Sequence, residues 1–107
     1  MGEVVISADR LAEIVKKVKR SDPDAFKQLY YSFYNQLYRY LCYRTSSAYV
    51  SKDLIQDVFT RIWTNRESLD PDQSISSYLY RVAANLVVDH FRKMAVEKTI
   101  LLKFCIK

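Results

Sequence analysis

A chain of 107 residues with a net charge of +5 is one domain, or one domain with a short extension. Half of the residues are hydrophobic, enough for a modest single core, whereas one glycine and two prolines supply too few turns for a hairpin-rich β fold. The charge favours a polyanionic partner, but no apolar run reaches the ~20 residues of a spanning helix, so membrane insertion is not expected.

Residues 1–8 lack the basic start and apolar stretch of a signal peptide, which points to the cytoplasm. Leu11, Ile14, Val15 and Val18 then follow the spacing of a short amphipathic helix, with Ser7 or Asp9 as its N-cap. Ser21-Asp22-Pro23-Asp24 is a break and restart: Asp22 suits an N-cap and Pro23 the first helical position. Phe26, Leu29, Tyr30, Phe33, Leu37, Tyr40, Leu41 and Arg44 mark one face of the long helix that follows. Tyr30, Tyr31, Tyr34, Tyr38, Tyr40 and Tyr43 lie on that helix and are read as core or half-buried packing.

Ser47 can cap a third helix, with Leu54, Ile55, Val58, Phe59 and Ile62 as its buried stripe and Trp63 at the edge. Residues 65–74 form a polar loop in which Pro71 discourages helix at Asp70. Ser74 can cap a fourth helix buried through Ile75, Leu79, Val82, Ala83, Leu86, Val87 and Phe91. The expected fold is therefore all-α, a compact bundle of four main helices. Residues 1–20 are the amphipathic helix, 21–96 the folded domain, and 97–107 an apolar tail or the start of a linker. Residues 100–106 are almost entirely apolar and must pack back, pair with another copy, or belong to a longer chain.

Chemistry is sparse. Cys42 and Cys105 fit no metal or redox spacing, and His90 is the single histidine. No metal site, no cofactor and no enzyme are expected. Two helix faces stand out instead. Asp53, Gln56 and Asp57, at i, i+3, i+4, share one face of the third helix. Carboxylates near a helix N-terminus are explained by the macrodipole; a docking face for an Arg/Lys-rich helix explains them as well. Arg81, Asn85, Asp89 and Arg92 form a polar stripe on the fourth helix, extended by Lys93 and Lys98. A solvated face with an Asp89 ion pair accounts for it, and so does phosphate contact by the arginines with base-edge contact by Asn85. Tyr78 and Tyr80 begin that helix and could stack unpaired bases. Trp63, on the other side of the loop, is an edge-of-core tryptophan or a second stacking group.

Three ordered motifs resemble the extracytoplasmic-function sigma factors of bacterial RNA polymerase. Asp22-Pro23-Asp24-Ala25-Phe26-Lys27-Gln28-Leu29-Tyr30 resembles the family's opening, and Asp53-Leu54-Ile55-Gln56-Asp57-Val58-Phe59 its core-binding segment. Tyr78-Leu79-Tyr80-Arg81-Val82-Ala83-Ala84-Asn85, followed by Asp89 and Arg92, is similar to its promoter helix. The resemblance covers roughly residues 21–93, the family's first folded domain.

It implies that Asp53, Gln56, Asp57 and Phe59 bind the clamp helices of the largest subunit of core RNA polymerase. It also implies that Asn65, Arg66, Ser77, Tyr78, Tyr80, Arg81, Asn85, Arg92 and Lys93 meet the non-template strand of the promoter −10 element, with one base flipped into a pocket of the loop. An anti-sigma factor is a further family expectation. Ser51 and Lys52 stand where the family commonly has Ala-Glu, and Tyr78 stands for its usual Trp. The family's second domain, a helix-turn-helix, would need roughly 60 further residues, so the sequence reads as a fragment or as a shortened protein. A helical interaction module, or a decoy that binds polymerase without specifying promoters, is the alternative function.

Overall fold

A computed structural model describes residues 7–105; residues 1–6 and the tail residues Ile106 and Lys107 lie outside the described part. The four expected helices are α1 (Ala8–Lys19), α2 (Pro23–Thr45), α3 (Ala48–Thr64) and α4 (Ile75–Cys105), with a short 3₁₀ turn (Arg66–Ser68) before α4. No strand occurs among the described residues.

Local chemistry sets the helix starts. Ser7 caps α1 by accepting from the Arg10 N–H, at 3.3 Å. Asp22 Oδ1 accepts from the Asp24 and Ala25 N–H groups at 2.9 and 3.3 Å, with Pro23 in the first turn of α2. Ser47 accepts from Val50 N–H at 3.1 Å, and Ser74 from Ser77 N–H at 3.1 Å. Each cap satisfies donors that a first turn leaves without an intrahelical partner. The single glycine is elsewhere, so serine takes the left-handed turn positions: Ser21 at φ 68° and Ser46 at φ 55°. The strain at Ser46 is offset in part by its N–H bond to the Cys42 carbonyl, at 2.8 Å.

The core joins all four helices. Ile14, Val15 and Val18 of α1 meet Ala25, Leu29, Phe33, Leu37 and Leu41 of α2. Leu54, Ile55, Val58, Phe59 and Ile62 of α3, Leu69 of the loop, and Ile75, Leu79, Ala83, Leu86 and Val87 of α4 complete it. The buried row on α2 advances four residues at a time. Such a row drifts by about 40° per step, which lets one helix touch its three neighbours in succession. Ser51 is the one fully buried polar side chain among the described residues. Its Oγ lies 3.0 Å from Thr45 Oγ1, which also donates to the Leu41 carbonyl at 2.8 Å and accepts from Ser47 N–H at 3.3 Å. The serine at this position thus ties the α2–α3 corner together, and its burial costs little because the hydroxyl is paired.

Three expectations need correction. The loop of residues 65–74 is not irregular throughout, since Arg66–Ser68 is a 3₁₀ turn. Tyr31 and Tyr43 are 67% and 84% exposed, because they fall on the outer face of α2, away from its buried row. Phe91 is 44% exposed and Val82 only half-buried. Phe91 lies beyond Val87, the last core residue of α4, where no neighbouring helix covers it. α4 itself runs to Cys105, and Leu101 and Phe104 in its last turns are 63% and 70% exposed.

Candidate functional site

The Asp70–Gln73 turn and the start of α4 enclose a cavity. Asp70 Oδ1 accepts from Asp72 N–H at 2.9 Å, and its carbonyl accepts from Gln73 N–H at 3.0 Å, which closes the turn. Leu69, 3% exposed, precedes this turn and is itself buried in the core. Between this turn and α4 lies a space of ≈ 550 Å³ lined by Ser68, Leu69, Asp70, Gln73, Ser74, Ile75, Ser77, Tyr78 and Arg81. Its walls carry hydroxyls, an amide and a carboxylate over an apolar floor, with an aromatic ring and a guanidinium group on α4. A groove between α1 and α2 is slightly larger, at ≈ 600 Å³, but it holds none of the predicted site residues.

The predicted nucleic-acid residues divide. Ser77, Tyr78 and Arg81 line the cavity, and exposed Asn85 and Arg92 continue the same side of α4 outward. Asp89 lies 4.0 Å from Arg92, an exposed pair worth at most about 1 kcal/mol. The others are placed elsewhere. Tyr80 turns toward α2: its hydroxyl donates to Gln36 Oε1 at 3.3 Å and its ring meets Tyr40 edge-on at 5.3 Å. Arg66 is engaged by the bundle. Its Nε donates to Ser21 Oγ at 2.7 Å, a second N–H donates to the Trp63 carbonyl at 2.8 Å, and the guanidinium lies 4.4 Å from the Trp63 ring centre. Trp63 itself packs on Phe26 at 5.0 Å and is an edge-of-core tryptophan. Asn65 ends α3 and accepts from Ser68 Oγ through its backbone carbonyl, at 2.7 Å. Lys93 lies across the helix, in the groove between α3 and α4.

Tyr80→Phe therefore removes the bond to Gln36 but leaves the cavity intact. Fluorescence anisotropy with a single-stranded oligonucleotide should give an affinity within about twofold of wild type.

On α3, Asp53, Gln56 and Asp57 are all exposed and form a ridge between two grooves. Gln56 leans toward α2, donating a long bond of 3.4 Å to Tyr30 hydroxyl, beside an apolar groove of ≈ 220 Å³ lined also by Phe26, Phe59, Thr60 and Trp63. Asp53 and Asp57 border a groove of ≈ 370 Å³ toward α4, together with Arg61, Asp89, His90 and Lys93. The helix dipole does not explain these carboxylates. It acts within the first turn, and α3 begins at Ala48 with no acidic residue in that turn. Phe59 is 2% exposed, with its ring 4.7 Å from Tyr30 and 6.3 Å from Phe26. It supports the ridge from behind rather than presenting itself to a partner.

Among the described residues no group of three or more His, Cys, Asp or Glu side chains could hold a metal ion, and no helix is long and apolar enough to cross a membrane.

Comparison with known proteins decides the family. Residues 29–96 match the family Sigma-70 region 2. The chain belongs to this family. The sigma-70 region 2 match takes in α3, the loop and most of α4, and so contains both the ridge and the cavity. Over 80 residues the chain is 36% identical to the ECF RNA polymerase sigma factor SigW of Bacillus subtilis, covering 74% of this chain and 42% of that protein. It is 30% identical over 84 residues to the ECF RNA polymerase sigma factor BldN of Streptomyces coelicolor (78% and 32%). SigM of Bacillus subtilis, also an ECF RNA polymerase sigma factor, is 32% identical over 73 residues (68% and 44%). The chain thus spans less than half the length of these relatives.

The sequence did not single out Leu69, Asp70 or Gln73. A signal was present for the first: Leu69 is the one hydrophobic side chain in a run of ten otherwise polar or proline residues.

Proposed function

We propose that this domain docks on core RNA polymerase through the α3 ridge and captures the melted non-template strand of a promoter −10 element in the cavity between the loop and α4. The observation that carries this reading is the separation of the two sites. The cavity shares no lining residue with either groove beside the ridge, so polymerase and DNA can be held together. Family membership and the names of the relatives support the same reading.

The chemistry needed is binding, not bond cleavage. Extruding a base from a duplex costs a few kcal/mol, and stacking with edge contacts must offset it. Tyr78 offers a ring at the cavity wall, and base–aromatic stacking contributes about 1–3 kcal/mol. Gln73, Asp70 and the serine hydroxyls offer donors and acceptors to a base edge. Arg81 at the rim, with Arg92 further along, neutralises phosphates, and Asn85 between them reaches an adjacent base. On the other face, Asp53 and Asp57 accept charge-assisted bonds from basic side chains of the clamp helices, and Gln56 both donates and accepts. The domain works in the cytoplasm, beside its polymerase.

Titration of single-stranded −10-like DNA at several salt concentrations tests this. Log affinity should fall linearly with log salt, by about 0.7 per neutralised phosphate, and Arg81→Ala should flatten the slope by about one such step. No binding at low salt, or the same slope in Arg81→Ala and Arg92→Ala, would overturn the DNA assignment.

A further inference from the structure

We propose that α1 positions the DNA site from behind: Leu11 holds the turn of residues 70–73 at the distance from Tyr78 and Arg81 that base capture needs. The inference rests on the −10 reading above.

The end of the loop is a partition. Gln73, Ser74 and Ile75 line the ≈ 550 Å³ cavity on one side. They also line a second space, of ≈ 230 Å³, whose opposite wall is α1 through Leu11, Ala12 and Val15. A shift of the turn toward α1 therefore widens the cavity by the same movement. The hydrogen bonds of the turn do not set that spacing. Asp72 and Gln73 N–H both bond to Asp70, and Ser74 accepts from Ser77 and Tyr78 N–H at the start of α4. These bonds shape the segment locally and leave its distance from α1 to packing.

Ala8, Leu11, Ala12 and Val15 fall at i, i+3, i+4, i+7 and share one side of α1. Val15 is sunk in the core and the alanines offer only methyls. Leu11 is the one long side chain of this row that packs against the core while staying partly exposed. Dispersion contact with the turn falls chiefly to it. Half-buried Pro71 lines the same space, and its fixed φ stiffens the turn that is braced. A second link stands beyond the other end of α1, where Ser21 Oγ accepts from Arg66 Nε of the 3₁₀ turn at 2.7 Å.

Amide hydrogen exchange of the whole chain without DNA, read by NMR, tests the brace, and anisotropy with single-stranded −10-like DNA tests its use. In Leu11→Ala the Asp72 and Gln73 amides should exchange about tenfold faster than in wild type. Ile14→Ala is the control. Ile14 is buried on α1 but borders the α2 groove instead of the turn, so those two amides should keep wild-type rates while the protein stays folded. Affinity for the strand should fall about fivefold in Leu11→Ala. With an abasic site placed at each position in turn, one placement should erase that difference, because the brace serves only a captured base. A general loss of structure would weaken binding to every strand alike. Equal exchange in wild type and Leu11→Ala, equal loosening in Ile14→Ala, an unchanged affinity, or a deficit that persists on every abasic strand would overturn the proposal. A wild-type chain that fails to bind the strand would instead sink the −10 assignment, and exchange alone would then decide the brace.

Discussion

Leu69→Ala lowers the stability of the domain by about 2–4 kcal/mol and weakens single-stranded DNA binding at least tenfold under conditions where the protein stays folded. Leu69 is 3% exposed and is the anchor between the 3₁₀ turn and the Asp70–Gln73 turn. Removing its side chain forfeits apolar burial and leaves a void that a short loop closes only in part. The same loop forms one wall of the ≈ 550 Å³ cavity, with Ser68, Asp70 and Gln73 on it. Once the anchor is cut, those polar groups lose their fixed distance from Tyr78 and Arg81, and the ordering they need must be met at the moment of binding. Urea denaturation measures the first effect and anisotropy at low denaturant the second. A variant that loses stability but binds DNA as well as wild type would separate the loop from the DNA site.

The second large effect lies on α3. Gln56→Ala with Asp57→Ala should cut recovery of core polymerase in a pull-down by more than tenfold, while unfolding stability changes by less than about 0.5 kcal/mol. Both side chains are exposed, and neither sits in the first turn, where a carboxylate would steady the helix. Their removal therefore costs the fold little. At an interface it costs more, because truncating one partner of a charge pair strands the other, at about 2–5 kcal/mol. Phe59→Ala would lower recovery for a different reason: a buried ring is lost, and stability falls by about 3–5 kcal/mol. The double alanine variant isolates the surface contribution that Phe59→Ala confounds. Equal recovery of wild type and double variant would leave the ridge without a docking role.

Most of the fold was legible because its determinants are local. Asp22 before Pro23, and Ser47 and Ser74 ahead of apolar-periodic runs, place helix starts within a few residues of the groups they bond. The stripes on α1 and α3 follow from helical periodicity. What escaped depends on distant partners. Arg66 reads as a loop cation until Ser21, 45 residues away in sequence, is seen to accept from it. Tyr80 reads as a stacking ring beside Tyr78, yet Gln36, 44 residues away, draws it to α2. Phe91 keeps the period of the α4 stripe, but burial also requires a neighbour, and α4 outruns the others. Lys93 continues the basic run along the chain while lying in the groove beside Asp53 and Asp57. At the ridge the reverse holds: the helix start at Ala48 removes the dipole explanation that spacing alone left standing.

The central claim is that the space between the loop and α4 accepts an unstacked base. Fluorescence of 2-aminopurine, placed in turn at each position of a single-stranded −10-like oligonucleotide, tests it most directly. One position should change strongly on binding, and Tyr78→Ala should abolish that change while the phosphate contacts of Arg92 still hold the strand. A uniform response at every position, or one unaltered by Tyr78→Ala, would contradict it.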